Sequence, residues 1–381
     1  MKNQLISTAA GNSVSEVLAA LGLENPAFYM FFFGADADVE SITAGLKKTG
    51  VPFMGCMDAG RLSDNKYFLD TKSISAMALS RELFEGMAFE TVEMGSSVAR
   101  DTISHQSAEA LKKAAEKCGI NLDNPDMERD FAINILYGLD SANSFLEGQA
   151  VAGMMLQSVG GSSGGKTDFV SSSVISHLKS GSIGIVGLFK LKPQYAFIMD
   201  RVSSFEALGG KNLVITELKG PRNIQGINGN SAVDEYCKAV GIDRSKLGPQ
   251  TFADFTLGID PGDGEILVTS IMAADNSGSG LLTYNDVIEG TEFTVYRAVS
   301  QRIDRQKMLE KVKSKHAVGY ISFDCILCYL ARNTLNQVHD IASLYGEILP
   351  SVPKIGFGTF SENICGANIN QTETFIAIYK K

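Results

Sequence analysis

The chain has no tryptophan, only four histidines among 381 residues, and nine prolines. Its longest uninterrupted apolar stretch, Ala27 to Phe33, is the length of a strand. A membrane-spanning helix needs about 18–20 such residues, so the sequence predicts none. The first residues, Met1-Lys2-Asn3-Gln4-Leu5-Ile6, lack the apolar core and cleavage site of a secretory leader, and a cytoplasmic location is expected. Six cysteines, at 56, 118, 237, 325, 328 and 365, are scattered over a long chain. Such scatter suits reduced thiols better than a disulfide framework. A net charge of −9 argues against nucleic acid or an anionic membrane as the main partner.

What is present is ordinary globular material: 44% hydrophobic, 20% charged, and 38 glycines, many of which fall at strand ends and turns. Apolar periodicity gives helices over 13–21, 36–49, 107–117, 140–154, 231–240, 304–314 and 335–349. Continuous apolar runs or alternation give strands over 27–33, 51–56, 73–80, 89–94, 131–137, 156–165, 182–188, 195–199, 318–327 and 373–379, among others. Three stretches, Ala27–Ser80, Phe131–Leu188 and Val318–Tyr379, each run strand, helix, short strand, small-residue bend, strand. The first and third align around V-P-x-x-G, at Val51-Pro52 with Gly55 and at Val352-Pro353 with Gly356. The expected class is α/β or mixed α+β: mixed sheets with helices on their faces, built from divergent repeats of this unit. The polar, glycine-rich segment from Lys219 to Asn230 marks the expected boundary, giving domains 1–222 and 223–381.

Several motifs carry chemical readings. Gly160-Gly161-Ser162-Ser163-Gly164-Gly165-Lys166-Thr167 fits the phosphate-cradling pattern G-x-x-x-x-G-K-[ST]. Tyr195 to Asp200 ends an apolar strand on an aspartate, which would complete an ATPase built on Lys166, Thr167 and Asp200. The competing reading is a bend lining a ligand cleft. Cys325-Ile326-Leu327-Cys328 is a C-x-x-C without the second pair a zinc site needs. Its flanks read as apolar strand, which favours packing thiols over a redox pair that needs a helix N-terminus. His177 follows the glycine-serine stretch and is either an axial haem ligand or a hydrogen-bonded histidine. No G-x-S-x-G elbow or obvious triad appears. Asp260, Asp263 and Glu265 lack EF-hand spacing.

The order of short motifs along the chain is similar to that of the FIST proteins. These motifs are G-C-x-x-x-G (Gly55, Cys56, Gly60), G-G-S-S-G-G (Gly160 to Gly165), D-C-I-L (Asp324 to Leu327), I-G-F-x-T-F-x-E (Ile355 to Glu362) and N-Q-T-x-T (Asn370 to Thr374). The resemblance covers nearly the whole chain. It implies a small-ligand-sensing module of N- and C-terminal FIST domains, not an enzyme, which signals through a separate partner such as a histidine kinase or cyclic-dinucleotide enzyme. One branch binds haem and senses nitric oxide, so haem is a candidate cofactor. The ligand is expected between the FIST domains, lined by Cys56, Gly160, Gly161, His177, Asp324, Cys325 and Glu362, with His177 as metal ligand if haem binds. Glu362 would hydrogen-bond an amine or hold a loop. The chain departs from the family at Ser361, at Cys328 where an arginine often follows D-C-I-L (Arg332 comes later), and before N-Q-T, where Ala367 and Asn368 replace a histidine. A ligand-free interaction scaffold is the remaining alternative.

Overall fold

The computed structural model describes residues 4–166 and 171–381 and is a mixed α/β protein with several mixed sheets. The chain packs into two compact units. One comprises Met1–Arg201, Arg305–Asn368 and Glu373–Lys381; the other comprises Val202–Asp304 with Ile369–Thr372.

The larger unit contains three six-stranded sheets with one pairing pattern. In each, a buried strand lies parallel to the strand that follows the next one or two helices and antiparallel to a third. Pro26–Gly34 lies between Phe53–Asp58 and Ile74–Ser80. Asp130–Tyr137 lies between Gln157–Ser163 and Ile183–Leu191. Ala317–Cys325 lies between Lys354–Thr359 and Thr372–Lys380. The other edge of each parallel neighbour is then taken by a short strand from another segment. Val174–Ser176 pairs with Phe53–Asp58, Glu362–Ile364 with Gln157–Ser163, and Arg61–Ser63 with Lys354–Thr359. This cyclic exchange covers the long parallel strands and leaves shorter ones, such as Lys66–Phe68, at those ends of the sheets. It concerns topology alone and says nothing of duplicated sequence.

The alternation of side chains divides the sheets between two kinds of core. Met30, Phe32, Met54, Ile133, Ile135, Ile321, Phe323, Ile355 and Phe357 point from all three sheets into one shared core. The opposite faces meet helices: Phe31, Phe33 and Ile42 in one cluster, Ala132, Leu136 and Phe145 in another. Helix ends follow their sequence signals. Ser13 caps Val14–Leu21 by accepting from Glu16 N, and Gly22 closes it at φ 57°. Asp38 caps Val39–Lys48 through Ser41 N.

Two expectations are corrected. Within the strand expected over 156–165, Gln157–Ser163 is a strand with Gly160 and Gly161 paired on both sides, so these two glycines are not part of a bend. Two strands approach closely here, and a Cβ on Gly160 would overlap the Asn134 carbonyl oxygen; Gly55 stands in the same relation to Phe31. The strand expected over 318–327 ends at Cys325, and helix Ile326–Thr334 follows at once. Its nine residues, I-L-C-Y-L-A-R-N-T, continue an apolar run, so periodicity alone does not separate strand from helix.

The smaller unit holds a nine-stranded antiparallel sheet centred on Glu292–Ala298. Helix Ala232–Val240 packs on it through Val233, Tyr236 and Cys237.

Candidate functional site

Strand Ala317–Cys325 carries alternate residues to opposite faces. Ile321 and Phe323 enter the shared core, so Tyr320, Ser322 and Asp324 face away from it. Asp324 stands in register with Glu373 on Thr372–Lys380, which sets two carboxyl groups side by side. Helix Gln301–Ser314 projects Arg305 onto both: Nη2 donates to Asp324 Oδ1 at 2.7 Å and Nε to Glu373 Oε2 at 2.9 Å. From helix Ile326–Thr334, Arg332 Nη2 donates to Asp324 Oδ2. Tyr67 hydroxyl, from short strand Lys66–Phe68, donates to the same oxygen at 3.0 Å. Glu373 accepts from Tyr320 at 2.7 Å and from Tyr345 at 2.6 Å. Arg305, Arg332, Asp324 and Glu373 are all buried.

Burial and counter-charge compete here. Burial pushes the Asp324 carboxyl up, but the Arg332 and Arg305 guanidiniums outweigh it and hold the acid below the usual carboxylate range. Among the described residues, Glu373 has Arg305 alone as a cation partner. Burial dominates, Asp324 adds repulsion, and its carboxyl is raised. The Cys328 thiol, on the first turn of the same helix, is pushed up to about 12, chiefly by burial. A thiol held protonated is a poor nucleophile.

Four of the residues expected at the site meet around Thr359, on the face of strand Ala317–Cys325 opposite Asp324. Cys325 ends the strand after Asp324, pairs with Thr359 and caps helix Ile326–Thr334. The helix N-terminus missing from the sequence reading of C-x-x-C is thus present. Thr359 hydroxyl donates to Glu362, which pairs with Gly161. Gly160 pairs with Asn363 and Asn134, and its carbonyl accepts from Thr374 at 3.5 Å. Cys56 is buried on Phe53–Asp58, next to Val174; burial raises its thiol well above the ordinary value.

His177 lies elsewhere, at the opposite end of that strand. Its N–H donates to the Phe53 carbonyl, and Nδ1 lies 3.3 Å from the same oxygen. Phe53 and Phe89 contact the ring edge-on, and burial lowers its pKa. The ring is thus a hydrogen-bonded, half-buried histidine that shares no contact with the Asp324 cluster. The phosphate-loop reading gives way. Gly160 and Gly161 spend their backbone groups in sheet pairing, Lys166 pairs with Asp36 at 3.5 Å, and Asp200 with Lys311 at 2.6 Å. Thr167 lies outside the described residues.

Sequence reasoning missed Tyr67, Arg305, Tyr320, Arg332, Tyr345 and Glu373. The available signal was charge inside apolar strands: Asp324 in Y-I-S-F-D-C and Glu373 in T-E-T-F-I-A-I stand where a buried strand has no use for an acid. Arg305, in the highly charged helix Gln301–Ser314, carries no such signal.

Comparison with known proteins supplies the family. The family model for the FIST N domain matches residues 27–230 and that for the FIST C domain matches residues 232–365. Among curated proteins nothing matches the chain. Among solved structures it is similar to a cyanuric acid hydrolase from A. caulinodans, with 7% identity, 99% of each chain covered and a TM-score of 0.39. That likeness is too low to carry an argument. By its own matched residues, the chain belongs to the FIST family, with N and C domains that together account for 27–365.

Proposed function

We propose that this chain is a sensory protein that binds a small ligand at the Asp324–Arg332–Arg305–Glu373 cluster and signals through a separate partner protein. FIST domains are small-ligand sensory domains, which supports the coarse reading. The observation that carries the placement is the cluster itself: two guanidiniums, two carboxyls and three tyrosine hydroxyls gathered out of water within one compact unit. Burying ionised groups costs several kcal/mol each (order of magnitude) before pairing returns it, and such arrangements concentrate where function uses them. Both family domains contribute. Tyr67 comes from the N domain, whereas Arg305, Asp324 and Arg332 come from the C domain. A ligand held there touches both.

The chemistry favours binding over turnover. Cys56 and Cys328 are held as thiols by burial, and the guanidiniums and tyrosines are fixed donors. Native mass spectrometry of freshly purified full chain, with its absorption spectrum, tests the reading. A co-purified small molecule is expected, and its occupancy should fall in Arg332→Lys. A bare chain whose melting temperature no metabolite raises would instead support a ligand-free scaffold.

A further inference from the structure

We propose that the ligand of this cluster carries a carboxylate, seated on the open N–H groups of Arg332 beneath the ring of Tyr67. This rests on the placement proposed above and adds the chemical class of the ligand.

The three buried arginines of the larger unit differ in one respect. Arg61 is fully engaged: Nε donates to both oxygens of Asp58, Nη1 to Ser73, and Nη2 to the Asp70 carbonyl. Arg305 divides its donors between Asp324 and Glu373. Arg332 is 1% exposed, yet only Nη2 has a partner; Nε and Nη1 make no hydrogen bond to any described residue. An unsatisfied N–H on a buried cation is among the costlier defects a fold can carry. Its partner carboxylate is shared. Asp324 gives one oxygen to Arg305 and the other to Arg332 and Tyr67, so Arg332 has no acid of its own.

That geometry selects among ligands. A cation is excluded by the guanidinium. A phosphate dianion would bring two charges close to Asp324 and Glu373. A carboxylate supplies one charge and two planar acceptors, the natural match to a guanidinium. The face of Arg332 is already covered: its Cζ lies 5.4 Å from the centroid of the Tyr67 ring. Tyr67 is half-buried on Lys66–Phe68, a three-residue strand at the sheet edge that pairs only with Arg61–Ser63 among the described residues. Displacing so short an edge strand breaks few backbone bonds, which makes it the natural way in.

Butyrate and benzoate, set against butyramide and benzamide at matched ionic strength, test the proposal on the purified full chain. The readouts are melting temperature and tyrosine emission, which no tryptophan obscures. Both carboxylates should raise the melting temperature in a saturable way and change the emission. Arg332→Lys, which keeps the charge and loses the fork, should weaken binding about tenfold or more. Tyr67→Phe should keep binding and lose part of the emission change, and this variant carries the test if Arg332→Lys does not fold. Amides acting as well as acids, in an Arg332-dependent way, would sink the carboxylate and leave the site standing. Carboxylate effects undiminished in Arg332→Lys, or no carboxylate effect at all, would also overturn it. Silence from every probe together with a bare chain in native mass spectrometry would remove both the class and the site.

Discussion

At the scale of single residues, Asp324 is the hub. It takes donors from Arg305, Arg332 and Tyr67, and two cations hold it below its ordinary range against the pull of burial. Asp324→Asn leaves both guanidiniums buried against a neutral amide. The expected cost is about 3–5 kcal/mol, the usual penalty for breaking a buried ion pair, read from denaturant midpoints. The pH dependence follows from the sign of the shift. A lowered folded-state pKa gives stability that is present above the unfolded value, about 3.9, and is lost as pH falls through the folded one. Glu373 has the opposite sign: its raised pKa favours the folded state at low pH, and that contribution fades as pH rises through the folded value. Wild type should therefore lose Asp324's contribution steeply only below about pH 4, and Asp324→Asn should flatten that limb. An unchanged acid limb in the variant would remove Asp324 from this role.

At the scale of elements, the strand Gln157–Ser163 is the informative one. Its glycines read in sequence as a phosphate loop because that motif and a crowded strand ask for the same thing, a backbone without Cβ. The structure uses them for close approach: Gly160 against the Asn134 carbonyl, and Gly161 against the Thr359 methyl, whose hydroxyl meets Glu362. Gly160→Ala should destabilise by about 1–3 kcal/mol, the range for overpacking, since the obstacle is backbone and cannot rotate away. A midpoint unchanged within error would contradict the close approach. Helix Ile326–Thr334 holds the other lesson. It sets Cys325 at its cap and Arg332 near its end, so one short helix links the C-x-x-C to the open guanidinium.

At the scale of the molecule, the larger unit cannot be cut along the chain. Arg61–Ser63 completes the edge of Lys354–Thr359, and Glu362–Ile364 completes the edge of Gln157–Ser163. A fragment ending at residue 222 keeps Ala27–Leu191 yet loses one of the three sheets, including Ile321, Phe323, Ile355 and Phe357 from the shared core. Such a fragment is expected to be aggregated or loosely packed, without the dispersed amide spectrum or cooperative melting of the full chain. A cooperatively folded 1–222 would show that the exchanged edges matter little.

The sequence alone determined whatever depends on near neighbours. Apolar period and caps placed most helices and strands, as with Ser13 and Gly22 around Val14–Leu21. The ordered short motifs pointed to FIST, and Asp324 drew notice because it lies within one of them. Tertiary structure decided which side chains meet. Tyr67, Arg305, Arg332 and Glu373 reach one point from separations of 8 to 257 residues in the chain, and local patterning has no term for such distances. It also decided the fate of His177 and the glycine stretch. Whether a histidine faces a cofactor or two phenylalanines, and whether a glycine frees a loop or admits a neighbouring strand, depends on what packs against it.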